Sequence, residues 1–172
     1  MYSLTVRLDL WKTGKLLKTI EGKPITLGID GVIRFLGNMD IDSDGGENID
    51  HDPCWQAETT FKHNGHSIDA QKVPYVVCPQ GILELVGPMG LGCYCRVTHT
   101  LNFREADAVL ADLGPYKKDG EGSPALARLL VINPNSRYGG EDRPVILYEL
   151  HVGYPAVING IQYALQPLRA GK

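Results

Sequence analysis

The sequence predicts a mainly β domain of 172 residues whose strands close, or nearly close, into one barrel. Three observations predict it. Short apolar or alternating segments recur between Gly, Pro and Asn; only one segment carries a strong helix-start signal; and 20 Gly with 11 Pro supply turns without any repeat, low-complexity tract or linker. The length matches a single domain with one substantial core, so one unit over residues 1–172 is expected.

Taken in order, Leu4, Val6, Leu8 and Leu10 alternate with Thr5, Arg7 and Asp9, the period-two pattern of a half-buried strand. Ile25–Ile29 and Val32–Leu36 bracket Asp30-Gly31, a pair suited to the left-handed angles of a hairpin turn. Strands are expected at Val73–Cys78, Ile82–Val86, Cys93–Phe103, Val109–Ala111 and Val145–Leu150, each β-branched or alternating and bounded by turn residues. A helix is expected from Ser123-Pro124 to about Leu130, with Ser as cap and Pro at the first helical position.

Composition excludes several classes. Hydrophobic residues at 43% and charged residues at 22% describe a folded chain rather than a disordered one. With a net charge of −3 and scattered Lys and Arg, nucleic acid is not an expected partner. No apolar run reaches spanning length, so no membrane partner is expected, and the alternating opening MYSLTVRLDLWKTG does not read as a signal peptide. A soluble monomer is expected. Cys54, Cys78, Cys93 and Cys95 are too few for a disulfide framework; Cys93 and Cys95 share a strand face and read as small core residues.

The chemistry-bearing segment is ADAVLADLGPYKKDGEGSPALARLL, from Ala106. An apolar strand ends in Asp112, and a turn and polar loop lead to Glu121 just before the capped helix. Glycoside hydrolysis needs such a pair: one carboxylic acid to protonate the leaving oxygen and one carboxylate to activate water or attack carbon. Burial after an apolar strand would raise the pKa of Asp112 and suit an acid, while the helix N-terminus beside Glu121 favours the ionised carboxylate of a base. Asp40 and Asp42 are alternative carriers of the base role, with Glu121 then gripping an ammonium group. Asp40, Asp42, Asp44, Glu47, Asp50 and Asp52 form an acidic stretch with no Lys or Arg among them, read as a negatively charged substrate surface. The run DIDSDG is half of a calcium loop, but its twelfth position is His51 instead of Glu, so no metal and no cofactor are expected. His63 and His66 flank Asn64-Gly65 and read as an exposed turn. Among Trp55, Tyr94, Tyr116 and Tyr138, Tyr116 lies between the two carboxylates and is the preferred sugar-stacking ring.

Four segments resemble the fungal-type chitosanases of glycoside hydrolase family 75: MDIDSDG at 39–45, SIDAQKVPYVVCP at 67–79, VLADLGP at 109–115 and GEGSPALA at 120–127. They occur in the family's order, and with their connections they span residues 39–150. The resemblance implies a six-stranded, double-psi-like β-barrel with one or two short helices and an extra N-terminal hairpin. It divides one catalytic domain into N-terminal strands (1–36), a family-like core (37–150) and a C-terminal extension (151–172). It implies an endo-acting, inverting hydrolase of β-1,4-linked amino-sugar polymer, secreted or directed to a cell wall, and carries the essential carboxylates onto Asp112 and Glu121. Ser43 stands where the family's motif has Cys. A peptidoglycan-directed glycan hydrolase and a noncatalytic carbohydrate-binding barrel are the alternative readings.

Overall fold

The computed structural model describes residues 2–114 and 120–168, with Val86 described by its backbone alone. In chain order the elements are α1 (Leu4–Thr13), β1 (Lys15–Ile20), β2 (Lys23–Leu27), β3 (Ile33–Ile41), β4 (Lys62–His63), β5 (His66–Ser67), β6 (Tyr75–Pro79), α2 (Gln80–Val86), β7 (Cys93–His99), β8 (Glu105–Gly114), β9 (Glu121–Gly122), α3 (Pro124–Leu129), β10 (Glu141–Ile158) and β11 (Ile161–Tyr163).

Six strands close on themselves in the order β3-β9-β6-β8-β7-β10, and antiparallel pairing of β10 with β3 completes the ring. Two of the six junctions, β3–β9 and β6–β8, are parallel. β1 and β2 form the N-terminal hairpin, which extends β3 as Leu27 pairs with Ile33 across a loop that Gly31 turns at φ 78°. The expected mainly β barrel with its hairpin is therefore present, with three short helices among the described residues.

Closure creates two apolar layers. The interior holds Phe35, Met39, Cys78, Cys93, Cys95, Val97, Leu110, Tyr148 and Leu150, together with Leu126 of α3. Phe35 and Tyr148, register partners across the closing junction, stack with centroids 4.7 Å apart. A second layer on the outer side of β6 and β8 packs Tyr75, Val77, Val109 and Ala111 against Phe61, Ile68 and Tyr163. All four cysteines are free thiols; Cys78, Cys93 and Cys95 are buried core residues, and burial holds the thiols of Cys78 and Cys95 well above their usual pKa. The Ser123 cap accepts from the Leu126 amide, as the sequence indicated.

Two expected strands are helices. Residues 4–10 form α1 because Leu4, Arg7, Leu8 and Trp11 also satisfy the helical period, and the residue drawn inward is charged. Arg7, 4% exposed, donates to Glu149 and to Glu105, and Ser3 caps the first turn by accepting from Val6. Residues 82–86 belong to α2, where buried Ile82 and Leu83 are followed by exposed Glu84 and Leu85 on the opposite face. Also, β7 stops at His99 and the chain turns through Phe103 at φ 62°, shorter than the expected strand.

An alternating chain of charges runs over the β3–β10 junction: Asp30, Arg34, Glu149, Arg7, Glu105 and Arg96. Arg34 forks onto Asp30 at 2.7 and 2.9 Å and donates from Nε to Glu149 at 2.9 Å. Glu149 is 1% exposed and sits between two guanidinium groups. Replacing it by Gln leaves two buried cations short of a counter-charge, so Glu149→Gln is expected to lose about 3–5 kcal/mol of unfolding free energy by denaturant titration. A loss below about 1 kcal/mol would show that the network is not needed to hold α1 on the barrel.

Candidate active site

Three strand ends converge at one end of the barrel. β3 delivers Asp40 and, past its end, Asp42 and Asp44; β8 delivers Asp112; β9 delivers Glu121. Asp40 and Asp42 continue the ladder, donating from their amides to the carbonyls of Gly120 and Gly122. The chain then turns at Gly45, and Tyr75 pins it by donating its hydroxyl to the carbonyls of Asp42 and Asp44 at 3.1 and 3.0 Å.

A bulge aims Asp112. Val76 pairs with Leu110 but Val77 pairs with Asp112, so Ala111 is the extra residue of β8. The Ala111 carbonyl accepts from Phe61, and Asp112 Oδ1 accepts from the Thr60 amide (3.0 Å), the Thr60 hydroxyl (2.6 Å) and the Leu113 amide (2.9 Å). Val77 is also the register partner of Glu121 on its other side. The Cα atoms of Asp112 and Glu121 therefore stand two strand spacings apart, about 9.6 Å. Glu121 is half-buried, with its Oε2 over Gly114 of Asp112's own strand; a methyl group at 114 would lie 2.8 Å from that oxygen.

Asp42, Asp44 and Asp112 bring one carboxylate oxygen each to within 4.8 Å of one another. Their burial in a shared space opposes full ionisation. Burial, then the neighbouring negative charges of Asp44, Asp112 and Glu121, push Asp42 up to about 8 against the pull of the Asp44 amide. Burial lifts Asp44 to about 6, opposed by the amide of Gln56. Asp112 is raised as well, by burial, but its three donors oppose the shift. With its pKa pushed up to about 8, Asp42 favours the protonated form at neutral pH. Asp42 and Asp44, read from the sequence as part of a negatively charged substrate surface, are partly withdrawn from water, because Tyr75 and the β9 ladder fold the acidic segment against the barrel.

A cleft of about 590 Å³ opens over this cluster. Asp40, Asp42, Asp44, Asp52, Glu121 and Asp142 line it against a single cation among the described lining residues, Arg137. Asp112 is 6% exposed and lies buried next to Asp42 and Asp44. Asp50 has a structural part: it accepts from Asn135 and Ser136 and so fastens the acidic loop to the segment carrying Arg137. Tyr116 lies outside the described residues. Trp55 turns its indole to the Gly46 carbonyl, Tyr138 is 76% exposed beneath the Arg137 guanidinium, and Tyr94 is on another face of the molecule. His63 and His66 flank the Asn64-Gly65 turn of the β4–β5 hairpin. Ser43, where the resembled family has Cys, is 3% exposed with an unpartnered hydroxyl.

Sequence reading missed Thr60, Gln56 and Tyr75. No motif marks them, and only the tertiary fold brings them to Asp112, Asp44 and the acidic turn. Among the described residues, the Asp42–Asp44–Asp112 group alone has ligand atoms close enough together for a cation, and oxygen donors of this kind suit a hard divalent ion. A comparison with known protein families and with curated proteins finds no match for this chain.

The raised Asp42 has a consequence for stability. Because its folded pKa lies above the usual carboxylate range, the folded state holds the extra proton between about pH 4 and about 8. Stability is therefore full in acid and is lost as pH rises through that window. Asp42→Asn is expected to flatten this loss and to add at least about 1 kcal/mol of unfolding free energy at pH 8. Equal pH slopes for variant and wild type would show that Asp42 titrates normally.

Proposed function

We propose that the protein is an endo-acting, chitosanase-like glycoside hydrolase that cleaves a β-1,4-linked amino-sugar polymer by carboxylate acid/base catalysis. One observation carries this reading: a proton-holding carboxylate cluster lies beneath a cleft that is acidic almost throughout. Protonated amines along chitosan complement that charge, and the cluster supplies an acid at neutral pH without a cofactor.

In the proposed mechanism the acid is the Asp42–Asp44–Asp112 cluster acting as a unit, since carboxylates this close share their protons. Asp112, the favoured acid from the sequence, holds three donors on one oxygen and is the better anion. Burial, with the charges of Asp44 and Asp112 beside it, keeps the proton on Asp42, which reaches the cleft and protonates the leaving oxygen. Glu121 is the base that takes a proton from water attacking the anomeric carbon from the other side. The two-strand Cα spacing between Asp112, the anchored member of the cluster, and Glu121 leaves room for the water that an inverting mechanism places between acid and base. Asp40 and Asp44 hold substrate ammonium groups, and export is proposed from the resemblance alone.

Asp42→Asn, Asp112→Asn and Glu121→Gln are each expected to lower kcat on chitosan at least about 100-fold with folding intact, read by reducing-sugar release. Wild-type turnover in Glu121→Gln removes the base assignment. Activity is expected to fall as pH rises past about 8, when Asp42 loses its proton. Release from peptidoglycan and not from chitosan would favour the murein-directed alternative.

Salt and chelator separate substrate attraction from metal binding. With the cleft as the docking surface, KM for chitosan is expected to rise as salt passes roughly 0.1 M, and EDTA to leave the melting temperature unchanged. A melting temperature that drops with EDTA and recovers with calcium identifies the carboxylate trio as a metal site.

A further inference from the structure

The cavity of about 770 Å³ beside the β3–β10 junction takes no part in the proposed chemistry. Arg34 lines it from the start of β3, whereas Asp40 lines the acidic cleft from near the end of the same strand; the six-residue offset places the two about 20 Å apart. We infer that this cavity is a second glycan site, which holds a neutral pyranose unit of the polymer away from the acidic cleft; the inference rests on the glycan-directed reading of the protein.

The first support is a local distortion of β10. Adjacent residues of β7, Cys93 and Tyr94, pair with Pro155 and His151, so Val152, Gly153 and Tyr154 loop out of the ladder. Gly153 makes the turn with φ 83°. The loop delivers Tyr154 to the cavity edge with 69% of its surface exposed, and Tyr2 stands at the same cavity at 56%. Two large aromatic side chains kept in water are costly to hydrate and offer flat apolar faces to the C–H side of a sugar ring. A strand bulge that re-aims a side chain is a device typical of binding sites.

The second support is charge. Arg7, Arg34 and Arg96 line the floor with Asp30 and Glu149, and Glu105, outside the lining, pairs with Arg7 and Arg96. Each guanidinium of the floor is engaged by a carboxylate, so the floor offers an ammonium or a phosphate no strong attraction, unlike the acidic cleft. Polar groups remain for hydroxyls and acetamides. The His151 ring lies 4.7 Å from that of Tyr94, whose hydroxyl donates to Asp107, and burial lowers the His151 pKa, so at neutral pH the imidazole is uncharged and both donates and accepts. Acetylated units of the same polymer carry no charge and fit this description, so the two sites together select a partly acetylated chain.

The test uses fully N-acetylated chitohexaose as the probe, titrated calorimetrically and by amide shifts into the whole protein. Binding is expected to perturb the amides of residues 151–154, and Tyr154→Ala and Tyr2→Ala are each expected to weaken it at least tenfold. Turnover of short glucosamine oligomers should stay at the wild-type level in both variants, while turnover of insoluble polymer falls several-fold. Chitohexaose binding that survives both substitutions, or shifts confined to the acidic cleft, overturns the inference. So does concentration-dependent self-association abolished by Tyr154→Ala, which would assign the tyrosines to a second copy of the chain. Failure of the cleft reading looks different: chitosan is not cut at all, while chitohexaose still binds and still depends on Tyr154.

Discussion

Antiparallel pairing of β10 with β3 is the constraint on which the remaining structure depends, because it turns an open sheet into a closed ring. The junction is secured on both faces. Inside, Phe35 stacks on Tyr148, whose hydroxyl donates to the Asn38 carbonyl; outside, Arg34 and Arg7 clamp Glu149. Burial of this ion network is costly in desolvation unless every charge has its partner, and here Glu149 and its two guanidinium groups do. The clamp also explains why a helix with few buried apolar residues stays on the barrel: Arg7 is its anchor.

The same strand reaches both the carboxylate cluster and the junction cavity. With its start held at the junction, the end of β3 can lie only beside β9, and so Asp40 meets Glu121 in register while Asp42 and Asp44 fold over Tyr75. β6 lies between Asp112 and Glu121 and sets their spacing through one residue, Val77. The bulge at Ala111 supplies the remaining degree of freedom by turning Asp112 toward Thr60. Three nearby acids, each in a different hydrogen-bonding environment, then differ in proton affinity, which is what acid/base chemistry at a single pH requires.

Electrostatically the molecule is divided. At one end, withdrawn carboxylates and a negative cleft favour a cation or a proton; at the junction, equal numbers of opposite charges cancel. This contrast arises from pairing and not from composition, since the chain as a whole carries a net charge of only −3. It gives each region a different electrostatic character on one scaffold.

By itself the sequence determined the β-rich character, the Asp30-Gly31 hairpin, the Ser123 cap and the presence of Asp112 and Glu121 at the ends of adjoining segments, because turn chemistry, capping and period-two patterns are local. It misread residues 4–10 and 82–86, where the same leucines satisfy two periods and only the burial of Arg7, Ile82 and Leu83 selects the helix. Tertiary structure alone decided that Asp42 and Asp44 lie against Asp112, that Thr60 holds Asp112, and that Asp50 fastens a distant loop. Proton affinity depends on what surrounds a carboxylate within a few ångströms, and in a closed barrel those neighbours come from segments dozens of residues apart in the chain.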